Sequence, residues 1–131
     1  MENSIMNQDR AEYAAELKNH GGHNCCQAVV AALADETSLP KEQLTQIAAG
    51  FCAGMGNMEA TCGALVGAGI IAGLKTEGKT TLKYTKQIAE KFKEASGAMT
   101  CRDLKGIGTG KVLCPCDDCV RNAVRAYEAV L

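Results

Sequence analysis

The segment "CGALVGAGIIAGL", Cys62 to Leu74, is the most apolar stretch of the chain. Its 13 residues fall well short of the roughly 20 that a membrane-spanning helix requires, so it predicts a buried helix and no membrane span. Each glycine costs a helix interior roughly 1 kcal/mol relative to Ala. We favour close packing against a neighbouring helix as the reason for these glycines. The alternative is close approach to a cofactor or partner. The glycines concerned are Gly63, Gly67, Gly69 and Gly73.

The segments on either side of this helix also have helical periodicity. Between Gly and Pro breaks, apolar residues recur at spacings of three and four, and no segment alternates like a strand. The predicted helices cover about 9–19, from 24 to before 40, 41–52, from after 61, 81–96 with a cap at Gly97, and about 117–131. We therefore predict an all-α fold, a compact bundle of about six helices in a single domain spanning residues 1–131, with residues 1–8 flexible.

The helical periodicity also predicts which side chains face the core. These are Tyr13, Leu17, Val29, Val30, Leu33, Leu44, Ile47, Ala48, Phe51, Leu82, Ile88, Phe92, Ala95, Val120, Val124 and Tyr127.

Charge and cysteine content limit the classes of function. With 14 basic and 15 acidic residues, the chain has no nucleic-acid footprint. The N-terminus lacks the basic start and apolar run of a signal peptide, which indicates a cytoplasmic protein. Eight cysteines in a reducing compartment favour metal ligands or redox centres over structural disulfides.

Several cysteines occur where helices are predicted to begin. Asn or Thr, both common N-caps, precede Cys25, Cys62 and Cys101, and Cys119 comes early in the last helix. The free N–H groups and dipole of a helix N-terminus favour the thiolate, the form of cysteine that ligates metals and attacks disulfides.

The stretch "CPCDDC", 114–119, contains a CxxC motif at Cys116 and Cys119. This spacing occurs in zinc sites, iron–sulfur sites and thiol oxidoreductases. A zinc ribbon usually has two such pairs and this chain has one, which makes zinc the less natural choice. Iron–sulfur ligands need not come in close pairs.

The remaining candidates have weaker signals. Cys25 and Cys26 are adjacent, so on a helix both cannot easily serve one site. Cys52 is equally compatible with a buried structural role and with a redox role. Cys114 is expected to be loop-exposed and accessory. A Cys-His nucleophile built from His20 or His23 is less favoured than two surface histidines at a helix break.

These motifs resemble a bacterial and archaeal family of redox-active proteins with the signature C-GCAxxG-C-C and a CGAxxG motif. The motif is present here as Cys62 to Gly67, and the resemblance extends to "NCCQAV", "CRDLKG" and the cysteine-headed final helix. It implies four characteristic cysteines, matched here to Cys25, Cys62, Cys101 and Cys119. Split-Soret cytochromes contain a similar region, which implies an iron–sulfur cluster. Four cysteines are additions to this set, and they leave open whether the chain has one thiol site or two: Cys26, Cys52, Cys114 and Cys116.

The leading hypothesis is thus an electron-transfer protein in which Cys25, Cys62, Cys101 and Cys119 ligate an iron–sulfur cluster. The additional cysteines are accessory candidates. One alternative is a metal-free thiol–disulfide protein using Cys116 and Cys119. Another is a binding module for zinc or another soft metal. Each of these functions requires a redox or delivery partner that the sequence does not identify, and the Gly-lined helix is also compatible with a homodimer.

Overall fold

Seven α-helices make up residues 9–131, the part of the chain that the computed structural model describes. The all-α prediction is confirmed, and the predicted flexibility of residues 1–8 concerns a segment outside the described residues. A 3₁₀ turn spans Ala34–Glu36 and a π-turn spans Gly54–Met58. The helices are α1 Arg10–His20, α2 Cys25–Ala32, α3 Lys41–Ala48, α4 Gly63–Lys75, α5 Thr81–Ser96, α6 Cys101–Lys105 and α7 Cys116–Val130.

Helix α4 packs against α2, α5 and α7. A Cβ added to Gly63 would lie 2.4 Å from the carbonyl oxygen of Phe51, and one added to Gly67 would lie 3.0 Å from that of Cys26. Close backbone packing therefore explains these two glycines, as predicted. It does not explain Gly73, which has no neighbouring atom within 4 Å of an added Cβ.

Local capping interactions fix several helix ends. The Asn24 side chain accepts a hydrogen bond from the Gln27 N–H, and the Gln27 side chain accepts one from the Asn24 N–H, so together they form a capping box at the start of α2. The Thr100 hydroxyl accepts a hydrogen bond of 3.3 Å from the Asp103 N–H at the start of α6. Gly97 ends α5 with φ +96°, a left-handed conformation that glycine adopts without strain.

The core is built mostly from aliphatic side chains, and most of the predicted core positions are confirmed. Three predictions are wrong, because Ile47 is 48% exposed, Leu82 is 82% exposed and Ala95 is exposed. Helix α3 ends at Ala48, four residues before the predicted end, and its buried residues are Leu44 and Ala48. The predicted positions that are buried are Val29, Val30, Leu33, Leu44, Ala48, Ile88, Phe92, Val120, Val124 and Tyr127. The predicted positions that are partly buried are Tyr13, Leu17 and Phe51.

Helix α6 was not counted among the predicted helices. It has five residues, too few for an apolar period to appear, although its N-cap is visible in the sequence. None of the helices in residues 9–131 combines the length and apolar character needed to cross a bilayer.

Candidate thiol redox centre

Four helix N-termini carry the cysteines of the candidate site. Cys25, Cys101 and Cys116 are the first residues of α2, α6 and α7, and Cys62 is the N-cap of α4. Cys119 follows Cys116 by one turn. At each position the helix dipole favours a thiolate over a neutral thiol.

A short antiparallel bridge joins the segments that lead into α4 and α6. Thr61 pairs with Thr100, the N–H of Cys62 donates to the carbonyl of Met99 at 2.8 Å, and the N–H of Cys101 donates to Ala60 at 3.1 Å. Both hydrogen bonds begin at a cysteine N–H. The bridge therefore fixes the starts of these two helices relative to each other.

The thiols form two pairs, each of which joins different helices. The thiols of Cys25 in α2 and Cys116 in α7 have the largest effect on each other's pKa, and so do those of Cys62 and Cys119. The Cys119 thiol itself donates to the carbonyl of Cys114 at 3.5 Å. The cysteines of the CxxC motif thus have thiol partners on other helices. We call Cys25/Cys116 the outer pair, because Cys116 is half-buried, and Cys62/Cys119 the inner pair, because both of its thiols are buried.

Cys62 occupies the middle of the site. It interacts electrostatically with Cys25, Cys26 and Cys101 as well as with its own partner Cys119. No regular capping hydrogen bond forms at this helix start.

The surroundings of Cys62 stabilise its thiolate. The neighbouring Cys119 thiol lowers the pKa of Cys62 to about 7 despite burial, with help from the amides of Ala64 and Leu65 and from the Lys105 ammonium. The pKa of Cys119 is raised, because the neighbouring Cys62 sulfur and burial both disfavour its thiolate. In the inner pair, therefore, Cys62 ionises more readily than Cys119.

Lys105, at the end of α6, provides a positive charge between the pairs. Its Nζ lies 3.5 Å from the Cys119 sulfur and donates to the carbonyl of Cys114 at 3.1 Å, and its charge lowers the pKa of Cys116. Burial acts against its charge, but the neighbouring sulfurs of Cys119, Cys116 and Cys62 raise the pKa of Lys105. The ammonium therefore stays charged and favours thiolates around it.

Cys116 combines low pKa with partial exposure. The neighbouring Cys25 thiol lowers the pKa of Cys116 to about 5 against the effect of burial, and Lys105 and Lys18 act in the same direction. The Cys116 sulfur in turn raises the pKa of Cys25, with burial as the second cause. The two acidic residues that follow Cys116 leave its pKa low, because its thiol partner and the lysines have the larger effect.

The other cysteines lie around this centre. Burial raises the pKa of Cys101, whose sulfur donates to the Met58 sulfur at 3.6 Å. Burial likewise raises the pKa of Cys26 to about 12. Cys52 is half-buried in the loop after α3. The expectation that Cys114 is loop-exposed is wrong, because it is 4% exposed and its sulfur accepts a hydrogen bond from the Asn122 amide at 3.7 Å.

The histidines lie apart from these thiol pairs. His20 is exposed, and the Nδ1 of His23 lies 2.9 Å from the carbonyl of Gly21. Both lie at the break between α1 and α2. This agrees with the interpretation that they are surface histidines at a helix break.

The donor groups of residues 9–131 do not form a ready site for one metal ion. No three His, Cys, Asp or Glu side chains in this range are placed so that they could hold one together. The arrangement consists of thiols that shift each other's pKa in pairs.

The sequence did not single out Lys105, Lys18 or Met58 as functional residues. Only Lys105 had a visible signal, since it follows Cys101 by four residues and thus lies on the same side of that helix. The proximity of Lys18 and Met58 to the cysteines depends on tertiary packing.

An all-α domain with paired thiols at helix N-termini and a lysine between them has the features of a redox-active cysteine protein. The chain belongs to the family described as "Putative redox-active protein (C_GCAxxG_C_C)", whose sequence profile matches residues 23–130. Comparisons with curated proteins and with solved structures give no significant match.

Proposed function

We propose that this protein transfers reducing equivalents by thiol–disulfide exchange, with Cys116 as the attacking thiolate and Cys25 as the resolving thiol. The observation that carries the proposal is the outer pair itself. A half-buried cysteine at the start of α7 and a buried cysteine at the start of α2 have the largest effect on each other's pKa. The family match supports redox chemistry, and in this proposal the sulfurs of the outer pair are the reacting atoms.

The exchange proceeds in two steps. The Cys116 thiolate attacks one sulfur of a substrate disulfide, which forms a mixed disulfide and releases the first substrate thiolate. Cys25 gives its proton to that leaving thiolate and then attacks the Cys116 sulfur, which releases the second substrate thiolate. That thiolate is protonated from solvent. The products are a Cys25–Cys116 disulfide and two substrate thiols, so two electrons pass from protein to substrate.

The different environments of the two cysteines support this division of roles. Exchange requires a thiolate accessible to its substrate, and Cys116 is both partly exposed and the lower-pKa member of the pair. Cys25 is only 7% exposed, so a bulky substrate reaches it poorly.

The proposal is tested by mapping disulfides in metal-free reduced protein after one equivalent of oxidised glutathione is added. Cys25–Cys116 should be the first intramolecular disulfide. Cys116→Ser should abolish the reaction, whereas Cys52→Ser, which alters another half-buried cysteine, should leave it unchanged. A first disulfide between Cys116 and Cys119, or unchanged reaction of the Cys116→Ser variant, would contradict these assignments.

An iron–sulfur cluster is the second candidate, favoured by the central position of Cys62 among the other thiols. Thiolates from separate helix starts suit such a cluster, which would supply one-electron transfer. Cys25, Cys62, Cys101 and Cys119 would hold it, and backbone N–H groups would tune its potential.

The visible spectrum of protein purified without oxygen distinguishes the candidates. Absorption bands that bleach with dithionite and disappear in Cys62→Ser would support the cluster. A colourless protein with stoichiometric metal would indicate zinc. A colourless, metal-free protein whose thiol count falls by two per exchange supports the dithiol.

A further inference from the structure

The loop that joins α6 to α7 begins with the glycine-rich sequence "GIGTGK", residues 106–111. The φ angles of its three glycines are positive, at +79°, +87° and +78°, whereas φ is not positive at the two residues between them. Alternation of this kind turns successive backbone N–H groups toward one side, and such concave sets of N–H groups bind anions. The N–H groups of Gly108 and Thr109 have no hydrogen-bond acceptor within residues 9–131, so they are available to a ligand.

Arg102, in the first turn of α6, brings a positive charge to this loop. A Cβ added to Gly108 would lie 3.0 Å from a terminal nitrogen of the Arg102 guanidinium, so the guanidinium rests against the glycine backbone. The other three arginines, Arg10, Arg121 and Arg125, all form ion pairs with carboxylates. Arg102 is exposed and forms none in the described part of the chain. Its guanidinium therefore has N–H groups to offer to an anion from solvent.

The end of the loop lies beside the helix that carries Arg102. The N–H groups of Leu113 and Cys114 donate to the carbonyl of Leu104 at 3.0 and 3.2 Å, so the loop returns to α6. Cys116 follows Leu113 by three residues, which span at most about 11 Å. Only a few residues thus separate Arg102 from Cys116 across this hydrogen-bonded contact.

This segment is positively charged although the whole chain is not. From Cys101 to Cys116 there are three basic residues and one acidic residue, whereas the whole chain has a net charge of −1. The acidic residues that follow Cys116 are themselves neutralised, because Arg121 ion-pairs with both Asp117 and Asp118. An anion that approaches the start of α7 therefore meets more positive than negative charge.

Building on the proposed dithiol function, we propose that Arg102 and the N–H groups of Gly108 and Thr109 form a carboxylate-binding subsite for the substrate of Cys116. The substrate class is then disulfides of small thiols that carry carboxylates, of which oxidised glutathione is an accessible example. The subsite binds and orients the substrate and takes no part in the exchange of sulfur–sulfur bonds. Glycine is required at position 108 because a side chain there would displace the guanidinium.

Binding is tested without any thiol reaction by titrating the protein with S-methylglutathione, which has the carboxylates but no reactive sulfur. The backbone amide NMR signals of Gly108 and Thr109 and the side-chain N–H signal of Arg102 should shift. These shifts should disappear in Arg102→Gln. They should remain in Lys79→Gln, which removes an exposed lysine in the turn after α4. Unshifted loop signals in the wild-type protein, or loop shifts that persist in folded Arg102→Gln, would refute the subsite.

Two glycine variants separate displacement of Arg102 from backbone strain. Gly108→Ala and Gly110→Ala both place alanine at a positive φ, +87° and +78°. The added Cβ meets the Arg102 guanidinium at position 108 and open space at position 110. Only Gly108→Ala should therefore weaken binding of S-methylglutathione, and equal weakening in both variants would contradict the role of Arg102.

Exchange rates test whether the subsite serves the outer pair. Metal-free reduced protein reacts with oxidised glutathione, which is anionic, or with 2-hydroxyethyl disulfide, which is neutral, at low ionic strength. The ratio of the two rate constants cancels any change in the reactivity of the Cys116 thiolate. In Arg102→Gln this ratio should fall about two- to fivefold, as for the loss of one exposed ion pair. Added salt should lower the wild-type ratio toward that of the variant.

The outcomes separate this inference from the proposed function. If both reagents give the Cys25–Cys116 disulfide and the ratio is the same in Arg102→Gln as in wild type, the subsite is refuted and the dithiol function stands. If S-methylglutathione shifts the loop signals but neither reagent oxidises the outer pair, the dithiol function fails, and the substrate role of the subsite fails with it.

Discussion

Replacing Lys105 with Met is expected to raise the pKa of Cys116 substantially. The Lys105 ammonium lowers the pKa of Cys116, and both side chains are half-buried. Unit charges about 4 Å apart interact by about 1 kcal/mol in water and about 4 kcal/mol near a protein surface. Because both groups are partly exposed, we take an interaction energy between these two values, about 2 kcal/mol. Since about 1.4 kcal/mol corresponds to one pKa unit, the pKa of Cys116 should rise from about 5 to about 6.5.

The assay is the pH dependence of thiolate absorbance and of iodoacetamide alkylation at Cys116, located by peptide mapping. The midpoint is the quantity to compare, because a thiolate of higher pKa is intrinsically more nucleophilic and partly offsets the loss in rate. Lys105→Arg, which keeps the charge, should retain most of the low pKa. Lys111→Met, which removes an exposed lysine, should have no effect. A midpoint that does not move in folded Lys105→Met would refute the role assigned to this lysine.

The remaining predictions concern packing, pH and capping. Gly63→Ala should lower the free energy of unfolding by about 1–3 kcal/mol, because its Cβ would overlap the carbonyl of Phe51. Gly73→Ala should raise that free energy by about 0.5–1 kcal/mol, because its Cβ enters open space; urea titrations measure both, and equal effects would contradict the packing argument. The reduced protein should lose stability as pH falls from about 8.5, near the unfolded thiol pKa, through the folded pKa of Cys116 at about 5, because this pKa is lower in the folded state. Cys116→Ser should show a flatter pH dependence in urea titrations, and an unchanged slope would contradict the linkage. Asn24→Ala should cost about 1 kcal/mol in thermal unfolding by removing the capping box, whereas Asn24→Asp should retain most of it; equal losses would show that the side-chain cap contributes little.

Features governed by local sequence were predictable. The apolar run after Cys62, the caps at Asn24 and Thr100 and the glycine end of α5 each depend on a few adjacent residues. They identified the helices and the placement of cysteines at helix starts. The exposure of Leu82 was missed because periodicity gives the side of a helix and not the extent of the neighbour that covers it.

The pairing of the thiols could not be predicted in this way. The CxxC spacing suggests that Cys116 and Cys119 are partners, whereas the packing of α7 against α2 and α4 gives each a thiol on another helix. Which helix starts converge is a property of the whole bundle. The same reason applies to Cys114, whose burial depends on Asn122 and the loop before α7.

The close contact of α2 with α4 has a consequence for how the protein responds to oxidation. Cys25 and Cys62 are positioned by backbone that packs around Gly63 and Gly67, and no covalent link between sulfurs is needed to hold them there. Oxidation or reduction at this end of the bundle should therefore leave the packing of α2 against α4 in place. A low reorganisation cost would let both oxidation states share one conformation and one docking surface, so a partner would recognise the protein equally well before and after it has given up its electrons.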